Sequence, residues 1–301
     1  SDLKGIVNKM KIVVTGALGQ LGQEIMKLAA GSEHEFVFTD IRATDNVSLL
    51  DITDADAVDA FVGKDVDVIV NCAAYTDVNK AESDEESARQ INAAAAGILA
   101  SAAAKADALL IHVSTDYVFD GTSTVPYRED CLPAPTGAYG RTKLEGERLV
   151  QESGCRYMIF RTAWLYSLSG RNFFLTMVNK TAELPQMKVV FDQTGTPTYA
   201  GDLAYLISHI IENGFLDRTG IYHYTDEGVC SWYDFAKEIN SLVGHTCNVM
   251  PCRTEDYPTP ARRPHYSVLD KAKVRETFGI EIPHWRDSLV MAVNEYMNTE
   301  E

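Results

Sequence analysis

The chain has 301 residues, 46% of them hydrophobic, which allows a packed core in one large domain or two small ones. Its formal net charge of -16 argues against a nucleic-acid partner, because phosphate backbones bind to basic surfaces. The apolar runs are too short for a membrane span and no signal segment opens the sequence, so we expect a cytoplasmic protein.

Strands and helices are predicted to alternate through the first half of the chain. Helical patterns lie between apolar runs, and Thr53 or Asp54 could cap the second helix. This alternation is typical of a parallel sheet that helices cover on both faces, so we predict an α/β, doubly wound fold of the Rossmann type. The predicted strands are 11–16, 35–40, 67–74, 108–115 and 156–166, and the predicted helices are 21–30, 51–62, about 84–105 and 138–153.

The pattern is less regular after residue 166. We expect residues 167–301 to form mainly a smaller substrate-binding lobe, with some segments returning to the main sheet. We expect residues 1–9 to be a leader or a remnant that precedes Met10. The helices predicted in the second half are about 172–183, one from near Asp202, 231–243 and 286–298, with a short extended segment at 189–192.

Six cysteines are present, and none forms a CxxC pair or a Cys/His cluster with zinc spacing. A chain of this length with so much apolar sequence does not need disulfide bonds to fold. We therefore expect reduced thiols at Cys72, Cys131, Cys155, Cys230, Cys247 and Cys252.

A glycine-rich turn follows the first predicted strand. The stretch TGALGQLGQE spaces Gly16, Gly19 and Gly22 as G-x-x-G-x-x-G between a strand and a helix. Glycine permits a tight turn and a close approach of the backbone, and the N-terminus of the next helix offers free N–H groups to a pyrophosphate. We therefore expect residues 10–166 to form a dinucleotide-binding domain.

An acidic residue at the end of the second strand supports this interpretation. Asp40 could accept hydrogen bonds from the hydroxyls of an adenosine ribose, which favours NAD(H), whereas Arg42 could attract the 2′-phosphate of NADP(H). The sequence leaves this choice open. Asp51 could lie near the adenine or cap a helix instead, and the small side chains of Ala73 and Ala74 would let a cofactor pass close to the backbone.

A tyrosine and a lysine could form a catalytic pair. Tyr139 and Lys143 stand four residues apart on a predicted helix, so they share one face. The fourth strand ends in Ser114 and Thr115, at the sheet edge where doubly wound folds bind ligands. An ammonium group beside a tyrosine lowers the pKa of the phenol and makes it a usable general acid. The spacing alone would also suit a solvated helix face.

These segments together resemble the extended short-chain dehydrogenase/reductase family over nearly the whole chain from Met10. The resemblance is stronger to one branch, the dTDP-4-dehydrorhamnose reductases, through VSTDYVFDG, YGRTKLEGE, FRTAWLY, NFF, DQTGTPT and ARRPHYS. It implies hydride transfer from NADPH or NADH to C4 of a 4-keto nucleotide sugar, in dTDP-L-rhamnose synthesis. Tyr139 would then protonate O4, Lys143 would hold the nicotinamide ribose, and Thr115 would orient the carbonyl.

Two sets of binding residues are expected on this basis. Arginine suits a diphosphate because its guanidinium binds oxygens bidentately, although Arg262 and Arg263 could also lie in a solvated loop, and Trp164 could belong to the core. The expected cofactor contacts are Gly16, Gly19, Gln20, Leu21, Gly22, Asp40, Ile41, Asp51, Ile52, Ala73, Ala74, Tyr75, Asn92, Tyr139 and Lys143. The expected substrate contacts are Thr115, Asp116, Tyr117, Trp164, Asn172, Phe173, Arg262, Arg263 and Ser267.

The sequence also departs from the family pattern. Tyr75 stands where a histidine is common in relatives, and Asp77 and Asn79 differ as well, so the nicotinamide preference stays open. Some family members form dimers through a magnesium ion held by glutamates. Glu24 fits the first ligand position, but Gly201 stands where the second acid is expected. We therefore predict no metal site and leave a homodimer open.

Two other functions are compatible with the sequence. A 4-epimerase or a dehydratase for another nucleotide sugar could use the same scaffold, and the acid Asp116 keeps a dehydratase open. A non-catalytic regulatory subunit of a methionine adenosyltransferase is the second alternative, which a complete set of Thr115, Tyr139 and Lys143 argues against. In the enzymatic interpretations the partner is a small nucleotide sugar, not a nucleic acid or a membrane.

Overall fold

A seven-stranded parallel sheet is the centre of the computed structural model, which describes residues 8–299. Of the leader expected at 1–9, residues 1–7 lie outside the described residues, and Asn8 and Lys9 are exposed.

The bounds of the elements are as follows. The strands are β1 Lys11–Thr15, β2 Glu35–Asp40, β3 Ser48–Leu49, β4 Val68–Asn71, β5 Leu109–Thr115, β6 Arg156–Thr162, β7 Leu165–Tyr166, β8 Gln186–Val190, β9 Thr194–Gly195, β10 Thr198–Tyr199, β11 Gly220–His223, β12 Cys230–Ser231 and β13 Asn248–Cys252. The helices are α1 Gln20–Ala29, α2 Ala55–Phe61, α3 Val78–Ser83, α4 Glu85–Arg89, α5 Ala95–Ala106, α6 Ala138–Glu152, α7 Phe173–Glu183, α8 Ala200–Glu212, α9 Trp232–Leu242, α10 Ala272–Phe278 and α11 Trp285–Thr299. A π-helical turn covers Gln90–Ala94, and short 3-10 turns cover Asp116–Val118 and Thr254–Asp256.

The strand order in the large sheet locates a binding crevice. The order is β3-β2-β1-β4-β5-β6-β11, and every neighbouring pair is parallel. The chain proceeds outward from β1 in one direction through β2 and β3, and in the other direction from β4 onward. The order reverses between β1 and β4, where a ligand crevice opens at the carboxyl ends of the strands. The predicted doubly wound α/β fold of the Rossmann type is confirmed.

Both faces of this sheet are buried, because successive side chains of a strand point to opposite faces. Ile12 and Val68, which are partners in register, face the cluster that contains α1 and α8. Val13 and Ile69, one residue further along each strand, face the cluster that contains α2 and α5. The apolar runs of the sequence are therefore explained by helices on both sides.

A third core lies in the second half of the chain and is rich in aromatic residues. Tyr166, Phe174, Phe235 and Trp285 are buried there among residues of α7, α9 and α11. The two-stranded parallel pair of β8 and β13 adds Val189 and other residues to this core.

Several predicted elements differ from the structure. The helix predicted at 51–62 begins at Ala55, after the Asp54 cap, and the extended segment predicted at 189–192 is found at 186–190, as β8. The helix predicted at about 84–105 is split into α4, the π turn and α5. The strand predicted at 67–74 ends at Asn71, and beyond Cys72 the amides of Ala73 and Tyr75 bind the side chains of Asn71 and Asn92. The strand predicted at 156–166 breaks into β6 and β7, since Trp164 has a left-handed backbone with φ of 50°.

Several elements of the second half were not predicted, among them β11, β13 and α10. The helix expected from near Asp202 begins slightly earlier, as α8. Between residues 8 and 299, no helix has both the length and the apolar character needed to cross a membrane. None of the six cysteines forms a disulfide bond in this structure.

Candidate active site

The glycine turn lies in the crevice between β1 and β4. Gly16 has a φ of 65°, and a Cβ on it would come within 2.5 Å of the Ala73 backbone nitrogen. A Cβ on Gly22 would come within 2.5 Å of the Ala17 Cα. Only glycine fits these two places, so the turn packs directly against the end of β4 and the start of α1. Gly19 caps α1 and is exposed, which leaves the first turn of the helix open to a pyrophosphate.

Asp40 at the end of β2 holds this turn in place. Its Oδ2 atom accepts a hydrogen bond of 3.0 Å from the Leu18 amide. Ile41 beside it is 68% exposed, an unusual exposure for an isoleucine, and Arg42 is exposed as well. Asp51 is further along the rim, where its carboxylate accepts two hydrogen bonds from Thr53.

Asn92 fixes the other wall of the crevice from the π turn. Its side chain is 1% exposed and forms two hydrogen bonds with the backbone of Tyr75, at 2.8 Å to the amide and 3.3 Å to the carbonyl. It also donates to the Thr142 hydroxyl at 3.1 Å. The segment after β4, with Ala73 and Ala74, is thus attached both to the π turn and to the helix that carries Tyr139.

Lys143 reaches back from α6 to β5. Its ammonium donates a 2.7 Å hydrogen bond to the Val113 carbonyl, and the side chain is 2% exposed. Burial lowers the pKa of this ammonium to about 8. The start of α6 is held by Glu82, whose carboxylate accepts a 2.8 Å hydrogen bond from the Ala138 amide.

Thr115, Asp116 and Tyr139 meet at the carboxyl end of β5. The Thr115 hydroxyl donates to Asp116 Oδ1 at 3.0 Å and also interacts with the phenol of Tyr139. Burial raises the pKa of Tyr139 well above its usual value, and the charge of Asp116 adds to the rise. This direction is opposite to the lowering that the lysine neighbour predicts. Burial also raises the pKa of Asp116 to about 7.

Ser114, the other hydroxyl at this strand end, is engaged elsewhere. It donates a 2.5 Å hydrogen bond to Glu147, which also pairs with Arg161 at 2.7 Å in full burial. The Arg161 guanidinium lies 3.4 Å from a ring nitrogen of His223 in β11. Thr115 is therefore the hydroxyl of this pair that is left for chemistry.

The two arginines expected near a diphosphate have different environments. Arg263 donates to the Tyr117 hydroxyl at 2.9 Å and to Asn79 Oδ1 at 3.1 Å. The ring of Tyr117 in turn meets the ring of Tyr139 edge-on, with 5.4 Å between centroids. Arg262 is exposed. Arg263 thus ties the segment before α10 to the tyrosine pair.

An aromatic wall lies on the opposite side of the site. Trp164 stacks on Trp232, with 3.6 Å between ring centroids and 12° between planes, and Phe173 lies 4.6 Å from Trp232. A Cβ on Gly195 would lie 2.8 Å from the Trp164 ring and 2.7 Å from the Ser267 hydroxyl, so these two groups meet above this glycine.

Asn172 connects this wall to the glycine turn. Its amide donates to Gln20 Oε1 at 2.9 Å, and its Oδ1 caps α7 by accepting from the Leu175 amide. Both ends of the side chain are used within the protein. Its predicted contact with substrate stays a prediction.

The structure brings most of the predicted residues to one crevice, in two groups. The residues at the glycine turn and its rim are Gly16, Gly19, Gln20, Leu21, Gly22, Asp40, Ile41 and Asp51, whereas Ile52 is buried in the core cluster that contains α2 and α5. The residues around the tyrosine are Tyr75, Asn92, Thr115, Asp116, Tyr117, Lys143, Arg263 and Ser267. Arg262, in an exposed loop, has no place in either group.

Sequence reasoning missed two residues that build this site. Trp232 gave no signal beyond being a tryptophan that begins a predicted helix, yet it supports Trp164. Asn79 was noted only as a departure from the family pattern, yet it holds Arg263.

Glu24, which fits the position of a magnesium ligand in some relatives, has other contacts in this structure. Glu24 is buried and accepts a 2.9 Å hydrogen bond from Lys27, which also lies 3.6 Å from Glu295. Among residues 8–299 there is no group of three or more histidine, cysteine, aspartate or glutamate side chains arranged to hold a metal ion. The absence of a metal site stays a prediction.

Comparison with known proteins gives consistent results. A family model described as "RmlD substrate binding domain" matches residues 10–298. A dTDP-4-dehydrorhamnose reductase of Burkholderia thailandensis is 38% identical, over 96% of this chain and all of that protein. The crystal structure of a dTDP-4-dehydrorhamnose reductase from Clostridium acetobutylicum has a TM-score of 0.89 and 43% identity, over 96% of this chain and all of the other. That of the Bacillus anthracis reductase in complex with NADP also has a TM-score of 0.89, with 37% identity over 95% of this chain and 99% of the other.

Proposed function

The chain belongs to the RmlD substrate binding domain family, and from this membership we propose that it reduces the 4-keto group of dTDP-4-dehydro-L-rhamnose to give dTDP-L-rhamnose. It is an oxidoreductase that acts on a CH–OH group with NADPH in dTDP-rhamnose synthesis. The observation that carries the proposal is the meeting of Thr115 and Tyr139, beside the buried Lys143, at the carboxyl edge of the sheet.

The cofactor cradle supports this activity. The places that only glycine fits, at Gly16 and Gly22, and the open first turn of α1 are suited to a dinucleotide pyrophosphate. Bound NADPH supplies the hydride that reduces C4. Burial lowers the pKa of Lys143 only to about 8, so its ammonium is still mostly protonated at neutral pH and would hold the nicotinamide ribose from its position at the Val113 carbonyl.

Tyr139 completes the reduction as the proton donor. A ketone that receives hydride develops negative charge on its oxygen, so a proton must be available there. The raised pKa of Tyr139 keeps its phenol protonated at neutral pH, and the phenol gives this proton to O4. Thr115 donates a hydrogen bond to the same oxygen and fixes the direction of the carbonyl.

The remaining pocket residues recognise the sugar and its nucleotide. Asp116 and Tyr117 bind the sugar hydroxyls, and the stacked indole of Trp164 forms an apolar wall for the ring face. Arg263, which its hydrogen bond to Tyr117 holds in the site, is the arginine that we assign to the diphosphate, whereas Arg262 lies in an exposed loop outside both groups of site residues. The enzyme works in the cytoplasm, and a homodimer is compatible with this site.

The test is the absorbance of the reduced nicotinamide. Purified protein is mixed with dTDP-4-dehydro-L-rhamnose, made in situ, and with NADPH or NADH in parallel. We expect rapid oxidation that depends on the keto sugar, whereas dTDP-glucose, which lacks the keto group, should give none. Folded protein that binds NADPH but oxidises neither NADPH nor NADH in the presence of the keto sugar would refute the proposed function.

A further inference from the structure

Asp116 is a buried acid that the reduction described above uses only as a sugar contact. Asp116 is 4% exposed, and its Oδ1 atom accepts the 3.0 Å hydrogen bond from the Thr115 hydroxyl. Its Oδ2 atom is buried without a well-formed hydrogen bond to any residue in the range 8–299. A carboxylate in this position would have one oxygen uncompensated, which is costly, whereas a carboxylic acid would not.

The Thr115 hydroxyl has only one proton to donate. Its oxygen already accepts a 3.2 Å hydrogen bond from the Tyr117 amide, so the amide fixes the side on which the proton can lie. When Asp116 is ionised, it can only accept, and the Thr115 proton is directed to it. When Asp116 is protonated, it can donate to the Thr115 oxygen, and the Thr115 proton is free to turn elsewhere.

We propose that Asp116 must be protonated for reduction, because only the carboxylic acid leaves the single proton of Thr115 free to hydrogen-bond the substrate carbonyl. This inference rests on the proposed function and deepens it. Asp116 is thus a positioning residue that acts through Thr115. It keeps its own proton throughout, and the proton that O4 gains still comes from Tyr139.

The groups around Asp116 agree with a change of charge near neutrality. Burial raises the pKa of the carboxyl to about 7, while Thr115, the Ser267 hydroxyl and the Arg263 guanidinium oppose the rise. The titratable phenols that face it are Tyr117 and Tyr139, and the charge of Asp116 raises the pKa of each. An ionised Asp116 therefore also opposes the negative charge that develops on O4.

The sign of the pH effect follows from this. Since the folded-state pKa of Asp116 is raised to about 7, the active acid is present below that pH and is lost above it. Single-turnover reduction with saturating NADPH should therefore fall at least about fivefold between about pH 6 and about pH 9. Tyr139 stays protonated in this range, but Lys143, with a pKa lowered to about 8, also loses its charge there. Variants are therefore needed to distinguish the titration of Asp116 from that of Lys143.

Asp116→Asn makes that separation, because the amide is similar in size and cannot ionise. We expect its rate to stay level through neutrality, whereas Asp120→Asn, in the same loop, should keep the wild-type profile. Ser267→Ala should move the midpoint of the fall upward, since the Ser267 hydroxyl favours the ionised acid. A wild-type midpoint in both Asp116→Asn and Ser267→Ala would assign the fall to Lys143 and overturn the proposal.

A measurement without substrate covers the case in which Asp116→Asn loses all turnover. Asp226 is a second buried acid with a raised pKa, so the spectrum of Asp116→Asn is subtracted from that of the wild-type protein. The infrared band of a protonated carboxylic acid should be present in this difference at about pH 6 and disappear with a midpoint near neutrality. A carboxyl that is already ionised at about pH 5 would overturn the proposal even if the reductase activity stands. Failure of the proposed function would instead show as wild-type protein that carries the titrating acid but does not turn over the keto sugar.

Discussion

Burial keeps the proton on the phenol of Tyr139 before the reaction, and the proposed function transfers that proton to the substrate. Burial and the neighbouring Asp116 raise the pKa of its phenol, so almost none of it is ionised at neutral pH. A general acid that holds its proton until negative charge appears on the substrate does not need a lowered pKa in the resting enzyme. The match is made in the transition state, when the developing alkoxide is the stronger base.

Tyr139→Phe removes this proton and leaves the ring. We expect the rate of keto-sugar reduction to fall by about 10²–10⁴-fold, the usual range for a general acid. Titration of NADPH fluorescence should show an unchanged cofactor affinity. Tyr205→Phe, on the 61% exposed Tyr205 of α8, is the matched control and should keep full activity. A loss below about tenfold in Tyr139→Phe would mean that another group protonates O4.

The carboxylate of Asp40 stabilises the glycine turn and is also predicted to bind the coenzyme. Its Oδ2 atom holds the Leu18 amide of the glycine turn, and we predict that the same carboxylate accepts from a ribose hydroxyl and repels a 2′-phosphate. We expect Asp40→Ala to weaken both coenzymes and to weaken NADH more, which moves the ratio of their affinities towards NADPH. Competitive binding measurements test this, with Asp45→Ala in the exposed turn nearby as the control. An unchanged ratio would show that the ribose is recognised elsewhere.

At the scale of elements, the glycine turn depends on the absence of side chains. The turn from β1 to α1 passes so close to the end of β4 that neither side can move away without displacing the sheet. The π turn has a similar effect on the opposite wall, since its widened backbone turns Asn92 towards Tyr75. Such turns within helices occur often at functional sites.

Gly16→Ala tests the turn. A left-handed backbone costs a residue with a side chain about 1–2 kcal/mol, and the new methyl group would overlap the Ala73 backbone as well. We therefore expect a lower midpoint in urea unfolding and a large loss of NADPH affinity. Gly31→Ala, whose nearest neighbour would be 3.8 Å away, should change stability by no more than about 0.5 kcal/mol. Equal effects of the two changes would contradict the close approach.

At the scale of the whole molecule, a buried ion pair in the first half of the chain is also in contact with β11 of the second half. Glu147 of α6 and Arg161 of β6 are 1% and 2% exposed, and Arg161 continues to His223 of β11. His223 is itself bound to the carbonyl of Tyr127 at 3.0 Å, and its pKa is lowered to about 3 by burial, so it stays neutral. The guanidinium of Arg161 therefore links α6, β6, β11 and the loop that contains Tyr127.

Glu147→Ala would leave that guanidinium buried without its partner. We expect the free energy of unfolding to fall by about 3–5 kcal/mol, because the cost is that of an uncompensated charge. Asp59→Ala breaks the exposed pair with Lys105 and should cost less than about 1 kcal/mol. Urea unfolding at neutral pH compares the two. A small loss in Glu147→Ala would mean that Arg161 finds water or another acid.

The sequence allowed the first five long strands, most of the helices between them and a binding site at the carboxyl edge of the sheet to be predicted. These follow from periodicity and from glycine spacing, which are local signals. The four-residue strand β11 could not be predicted, because a run as short as GIYH becomes a strand only through its pairing with β6. The same limit applies to Lys143 at the Val113 carbonyl and to Arg263 at Tyr117, since both contacts join residues far apart in sequence.

The position of β11 also has a consequence for synthesis on the ribosome. The residues of β11 are synthesised more than fifty residues after β6. The outer edge of β6 therefore stays unpaired until β11 has left the ribosome. During that interval an open strand edge is exposed to other nascent chains. Translation that ends within this window would give a product that is prone to aggregate, although it already contains the complete glycine turn and Tyr139.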